Sequence, residues 1–182
     1  MLAALPLPAD LALQGLAPGG WTLRRATDDD LSALVALLAE DALAAGRGDT
    51  EAAEAFPHYR AAMGAVVADP SNEIVVAVDA RDRVGAMLQL TRIPGLARRG
   101  ATRLLVEAVR VGSAHRSAGL GTAMLRWAMG PAAEATGSAL VQLTSDEQRV
   151  DAHRFYERLG FVGSHRGFKH AVPSRRSAER QA

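Results

Sequence analysis

The sequence predicts an α/β domain in which a mixed, largely antiparallel central sheet is flanked by helices. Three observations carry the prediction. Strand-like runs come first as a meander, at 21–26, 74–78 and 84–93. From residue 103 onward, strand runs alternate with helical periods, the pattern of helices packed on a sheet. At 182 residues the chain holds about one domain and can bury a real core.

The elements follow in order. Residues 1–20 close on Pro18-Gly19-Gly20 and read as an N-terminal extension with a short helix over 9–16. Residues 21–172 form the single domain, and the Arg-rich 173–182 read as a flexible basic tail. Trp21–Ala26 is the first strand. Thr27 or Asp28 caps a helix through Ala44, with Leu31, Leu34, Val35 and Leu38 on one face. A second helical stretch covers about 51–68, broken near Pro57 and ending before Asp69-Pro70. Ile74–Val78 and Val84–Ile93 form a hairpin around Asp79-Ala80-Arg81-Asp82. Pro94–Ala101 is a basic loop, and Arg103–Val111 is the next strand. Leu120, Ala123, Met124, Trp127 and Ala128 sit at helical core spacing until Gly130-Pro131 stops or kinks the helix. Ala139–Thr144 is a buried strand. A helix over 151–159 is capped by Asp151 and ended by Gly160, and Phe161–Lys169 reads as a last strand.

The segment between the strand ending at Val111 and the helix starting near Leu120 is the most informative. It contains Arg116-Ser117-Ala118-Gly119-Leu120-Gly121. A strand-to-helix turn of this kind leaves backbone N–H groups unpaired, and its glycines let a phosphate approach. The helix dipole adds partial positive charge, so the turn is a candidate diphosphate cradle. It lacks the Lys-Ser/Thr of a Walker A loop and has one glycine too few for a dinucleotide turn.

About thirty residues downstream stands Asp151-Ala152-His153-Arg154-Phe155-Tyr156, followed by Gly160-Phe161. Arg-x-x-Gly-x-Gly with Ala-x-x-Phe-Tyr at this distance resembles the GCN5-related N-acetyltransferase superfamily, over roughly residues 21–170. Gln89-Leu90-Thr91, Ile93-Pro94-Gly95-Leu96 and Val141-Gln142-Leu143-Thr144 are further similar to a bacterial subgroup of unassigned substrate. The resemblance implies that acetyl-coenzyme A is the cosubstrate. Its diphosphate would meet the amides of Arg116, Ser117, Ala118, Gly119, Leu120, Gly121 and Thr122, with Arg116 adding charge. The main chain of Val109 and Val111 would pair with pantetheine where the strand bends. Two positions depart from the superfamily: Ser117 replaces a glycine, and Arg149 stands where asparagine often reaches coenzyme A, which leaves that contact open.

The chemistry needs help from side chains. Bringing a lysine-like amine to its neutral form at pH 7 costs about 4.6 kcal/mol, so a proton acceptor near the amine and a donor for the departing thiolate both raise the rate. By the same resemblance Tyr156 is the donor and Glu107, working through water, the acceptor. Each has a plainer reading. Tyr156 can simply anchor its helix, and Glu107 can pair across strands with Arg103 or Arg92. His58 and His153 are the alternative bases. The acceptor pocket is expected around His58, Tyr59, Gln89 and the loop after Ile93, and Arg98-Arg99 is either a solvated loop or the meeting point for an anionic group.

Composition narrows the function. Net charge is +1, from 21 basic and 20 acidic side chains, which argues against a broad nucleic-acid footprint. No cysteine is present, so disulfides, thiolate nucleophiles and thiolate metal sites are excluded. The five histidines lack zinc spacing, so no metal is expected. No apolar stretch nears 18 residues, so no membrane span is expected and the cytoplasm is the default compartment. The expectation is an acetyl-CoA-dependent N-acetyltransferase acting directly on the amine of a small molecule or amino-acid derivative, with a homodimer left open. The alternative is a catalytically silent acyl-CoA-binding regulatory module.

Overall fold

Burial on both faces explains why the central strand reads as a continuous apolar run. In Asn72–Asp79, Ile74, Val76 and Val78 turn to one face and Val75 and Ala77 to the other, and all five are buried. The computed structural model describes residues 1–13, 20–40 and 48–172. It divides into two compact units, Met1–Leu143 and Thr144–Ala182.

The first unit holds a six-stranded sheet whose spatial order equals its chain order: β1 (Ala9–Asp10), β2 (Trp21–Arg25), β3 (Asn72–Asp79), β4 (Val84–Ile93), β5 (Thr102–Val111) and β6 (Ser138–Leu143). Neighbours are antiparallel except β5 and β6, which are parallel and therefore need the intervening helix as a crossover. The mixed, largely antiparallel sheet is as the sequence predicts. Helices α1 (Leu31–Ala39) and α2 (Phe56–Ala68) cover one face. There Leu31, Leu34, Val35, Leu37 and Met63 meet Ile74, Val76, Val78 and Met87 in one apolar cluster. Helix α3 (Leu120–Trp127) packs on β5 from the other face. Its Leu120, Met124 and Leu125 are buried, as are Leu88, Leu90, Leu104 and Val106 of β4 and β5.

Several expectations are corrected. Residues 9–10 form a strand, not a helix, because the backbone of Ala9 and Asp10 pairs with Leu23 and Thr22; 14–16 lie outside the described residues. Helix α1 ends at Ala39 with Glu40 as its C-cap, and 41–44 lie outside the described residues. Pro131 neither stops nor simply kinks its helix. Residues Ala128–Ala132 widen into a π turn that absorbs the proline, and Ala133–Ala135 continue beyond it. Within the loop 94–101, Ala97–Gly100 form a short helical turn with Arg98 and Arg99 left-handed at φ 55° and 59°. β6 is half-buried, not buried.

The second unit carries helix α4 (Val150–Arg158). Its N-cap is Arg149 and not Asp151. Asp146 opens the turn one step earlier, its carboxylate accepting the Gln148 N–H and its carbonyl the Arg149 N–H. The stretch 161–169 is not a strand. Beyond Phe161 its side chains are exposed, and among the described residues no ladder partner fixes it.

Candidate active site

A bulge in β5 shapes the site. Met87 faces Arg110 and Gln89 faces Glu107, so Leu88 alone opposes both Ala108 and Val109. Ala108 takes φ 48°, a left-handed conformation that costs an L-residue about 1–2 kcal/mol. Past the bulge the Gly112 N–H donates to the Gly85 carbonyl of β4 at 2.9 Å. By alternation the polar groups of Val111 point the other way. On that side β6 pairs with β5 only as far as Val106 and Leu143. Among the described residues no strand pairs with the β5 edge at 107–111 on that side. Side-chain donors meet both carbonyls: Arg110 Nη1 reaches Val109 O at 2.9 Å, and Arg116 Nε reaches Val111 O at 3.2 Å.

The turn follows immediately. Ser113–His115 make one 3₁₀ turn, Arg116 is extended, and Ser117 and Gly119 are left-handed at φ 63° and 85°. The α3 ladder starts with Ala123 N–H donating to Gly119 O at 3.0 Å; the Arg116 N–H, expected in the cradle, is spent on Ser113 O at 3.4 Å, and among the described residues the amides of 117–122 are left for another acceptor. A Cβ on Gly119 would meet no atom within 4 Å. The glycine is therefore needed for its backbone conformation and for leaving that space open. Gly119, Thr122, Ala123 and Arg126 line a recess of about 90 Å³ together with Ala12. Arg126 escaped the sequence reading, although its i+4 spacing from Thr122 put it on this face. Arg116 is tied to Val111 and, at 3.4 Å, to Glu40, whose carboxylate also accepts the Ser113 N–H at 2.8 Å. Its charge thus sits at the mouth of the turn as a strut to the end of α1. Open amides, the dipole of α3 and two arginines fit a diphosphate.

On the face covered by α1 and α2, Glu107 is exposed, and among the described residues its carboxylate has no hydrogen-bond or ion-pair partner. The cross-strand pairs considered for it are not formed. Arg103 donates to Gln142 Oε1 at 3.2 Å, and Arg92 to Thr136 O and Thr102 Oγ1. Gln89 stands directly across from Glu107. His58 is exposed on the first turn of α2. The Tyr59 hydroxyl accepts the Thr50 N–H at 3.0 Å and donates to Asp49 at 3.3 Å, which fastens the preceding loop to α2.

Tyr156 and Arg149 belong to the second unit. Tyr156 is half-buried, its ring 5.4 Å from Phe155 and 5.9 Å from Phe161. His153 spends Nε2 on the Asp146 carbonyl at 2.8 Å, which makes it a helix-start contact. Among the described residues no group of three His, Cys, Asp or Glu side chains could hold a metal, and no helix is long and apolar enough to cross a membrane.

A mixed six-stranded sheet whose bulged fifth strand leads into a glycine-containing turn is a frame that the chain shares with known structures. Residues 32–161 match the acetyltransferase (GNAT) family, and the chain belongs to it. It is similar to a transcriptional regulator from Bacillus halodurans C-125, at 39% identity and TM-score 0.79 over 84% of this chain and 99% of that one. A Trypanosoma brucei acetyltransferase is similar at 25% identity and TM-score 0.64, covering 84% and 99% of the two chains. The glucosamine-6-phosphate N-acetyltransferase of Arabidopsis thaliana, at 16% identity and TM-score 0.66 over 84% and 99%, shares the fold. No curated protein sequence matches the chain.

Proposed function

We propose that the protein transfers acetyl from acetyl-coenzyme A directly to the amine of a small molecule or amino-acid derivative. The observation that carries this reading is the bulge in β5, which leads from an unpaired strand edge into the amide-lined turn, with Glu107, partnerless among the described residues, on the adjoining face. The cosubstrate supplies an activated acetyl group. Glu107 takes one proton from the acceptor ammonium through water, leaving a nitrogen lone pair to attack. A nitrogen–carbon bond forms, the carbon–sulfur bond breaks, and the Tyr156 hydroxyl gives the departing sulfur its proton, recovering one from the product nitrogen through solvent. Tyr156 holds this role by family resemblance. The setting proposed with it is cytoplasmic, with no nucleic-acid or membrane partner.

Because the chain has no cysteine, thiol release can be followed with a thiol reagent free of protein background. Acetyl-coenzyme A with a panel of primary amines should give amine-dependent thiol release and an acetylated product. Similarity to a transcriptional regulator favours the second reading, a regulatory module that binds acyl-coenzyme A without turning it over. Tight binding by calorimetry with no release across the panel would select that reading.

A further inference from the structure

The sheet face under α1 and α2 is apolar at one end and polar at the other. Beyond Ile74 and Met87, the register sets Asn72 opposite Thr91, Gln89 opposite Glu107, Thr91 opposite Leu105, and Ile93 opposite Arg103. Gln142 of β6 lies beside Leu105.

The amide of Gln89 is oriented by a chain of hydrogen bonds that begins at a carboxylate. Asp69 can only accept, and it takes the Asn72 Nδ2–H at 2.8 Å. Asn72 Oδ1 is therefore the end turned to the sheet, where it accepts from Thr91 Oγ1 at 2.7 Å and Gln89 Nε2 at 3.3 Å. Gln89 spends one of its two N–H bonds there, and its Oε1 remains an acceptor. Across the strand stands the Glu107 carboxylate. Two acceptors side by side match a group rich in N–H bonds and positive charge, an ammonium.

Four residues along β5 the sign reverses. Arg103 is half-buried, and its hydrogen bond goes to Gln142, a neutral side chain. Among the described residues no carboxylate pairs with it. Leu105 separates the two charges as an apolar spacer on the same face. Four strand residues span about 13 Å. Gln142 stands at the level of Leu105, so the guanidinium leans back and shortens this to roughly 7–10 Å.

We propose that the acceptor is a primary amine carrying an anionic group, carboxylate or phosphate, roughly 7–10 Å from its nitrogen, with the ammonium at Gln89 and Glu107 and the anion at Arg103. The proposal rests on the acetyl-transfer reading. The test compares 6-aminohexanoate, the phosphonate of equal length, hexylamine and 1,6-diaminohexane as acceptors. A charge-assisted contact predicts kcat/KM for an anionic acceptor about 10–100-fold above that for hexylamine, with the diamine lowest. The better of carboxylate and phosphonate names the natural anion. Arg103→Gln should bring the ratio to hexylamine toward one, and Arg103→Lys should retain part of it. Asn72→Ala should raise KM for all four amines and leave the ratio unchanged, as expected of a positioning residue. A wild-type ratio near one, or an unchanged ratio in Arg103→Gln, overturns the proposal. If no amine is acetylated, the transfer reading fails, and NMR titration with 6-aminohexanoate and hexylamine still decides the site. Selective shifts of Arg103 Nε and the Gln89 side-chain amide by 6-aminohexanoate support it, whereas equal or absent shifts overturn it.

Discussion

Glu107 and Gly119 show how much a single residue can be asked to do here. Glu107→Gln preserves size but cannot accept a proton at neutral pH. Its defect in kcat/KM should be large near pH 7 and shrink as pH rises toward the acceptor's own pKa, where free amine is abundant. A pH–rate profile with a defect of constant size would make Glu107 an orienting group only. At Gly119 the φ of 85° means that substitution is not silent for the fold. Gly119→Ala should cost about 1–2 kcal/mol of stability in denaturant unfolding and weaken acetyl-coenzyme A binding. Gly119→Asn tolerates the left-handed backbone better, so it should lose less stability while still placing a side chain at the cradle. Equal affinity in all three proteins would remove the turn from the site. Tyr156→Phe keeps the ring contacts with Phe155 and Phe161 and removes only the hydroxyl. The maximal rate should then fall by about 10²–10⁴-fold with little change in cosubstrate affinity.

At the scale of elements, the start of α1 is held by charge and the turn by shape. Arg24 grips Asp30 through two nitrogens, at 2.7 and 3.0 Å, and the Thr27 N–H adds a third bond at 2.8 Å. Burial pushes the Asp30 carboxyl up. The Arg24 and Thr27 hydrogen bonds and the Arg24 charge outweigh it and hold the pKa below its ordinary 3.8. A depressed carboxyl contributes stability that is complete above the unfolded-state value and lost as pH falls through the folded-state value. Asp30→Asn should therefore destabilise by about 1–3 kcal/mol at pH 7, with the gap to wild type closing below about pH 4 in urea titrations. The turn is braced by Trp21, whose ring lies edge-on to His115 with centroids 4.9 Å apart. Gly85 makes room for it, since a Cβ there would come within 2.3 Å of Trp21 Cη2. Gly85→Ala should cost about 1–3 kcal/mol by overpacking.

Across the whole molecule, the first thirteen residues are part of the packed structure. Leu2, Leu5, Leu11 and Leu13 are buried, Leu2 N–H donates to Pro70 O at 3.2 Å, and Arg25 Nη2 donates to Leu2 O at 2.9 Å. Each buried leucine is worth about 1.5–3 kcal/mol, so losing all four removes on the order of 6 kcal/mol or more. That approaches the entire stability of an ordinary domain. A chain lacking residues 1–13 should unfold at markedly lower temperature by circular dichroism; an unchanged transition would show that the segment merely rests on the surface.

The sequence by itself determined the architecture and located the glycine turn before α3, because both are written in local signals. The run Val75–Val78 is apolar on both faces, Thr27 or Asp28 marks the start of a helix, and Gly119 supplies a residue at ease in a tight turn. Only the tertiary structure decided what depends on which strand meets which, and in what register. Ala108 carries no mark of a left-handed bulge; β4 and β5 impose it by pairing Gln89 with Glu107 and Met87 with Arg110. Glu107 and Arg103 look like ion-pair partners in the sequence, yet four strand residues hold their backbones about 13 Å apart, and Gln142 from β6 takes the arginine instead. Arg149 displaced Asp151 at the start of α4 for a similar reason, since the turn that Asp146 O closes on the Arg149 N–H fixes where the helix begins. The stretch 161–169, read as a last strand, made none, because an extended segment becomes a strand only when a neighbour accepts its hydrogen bonds.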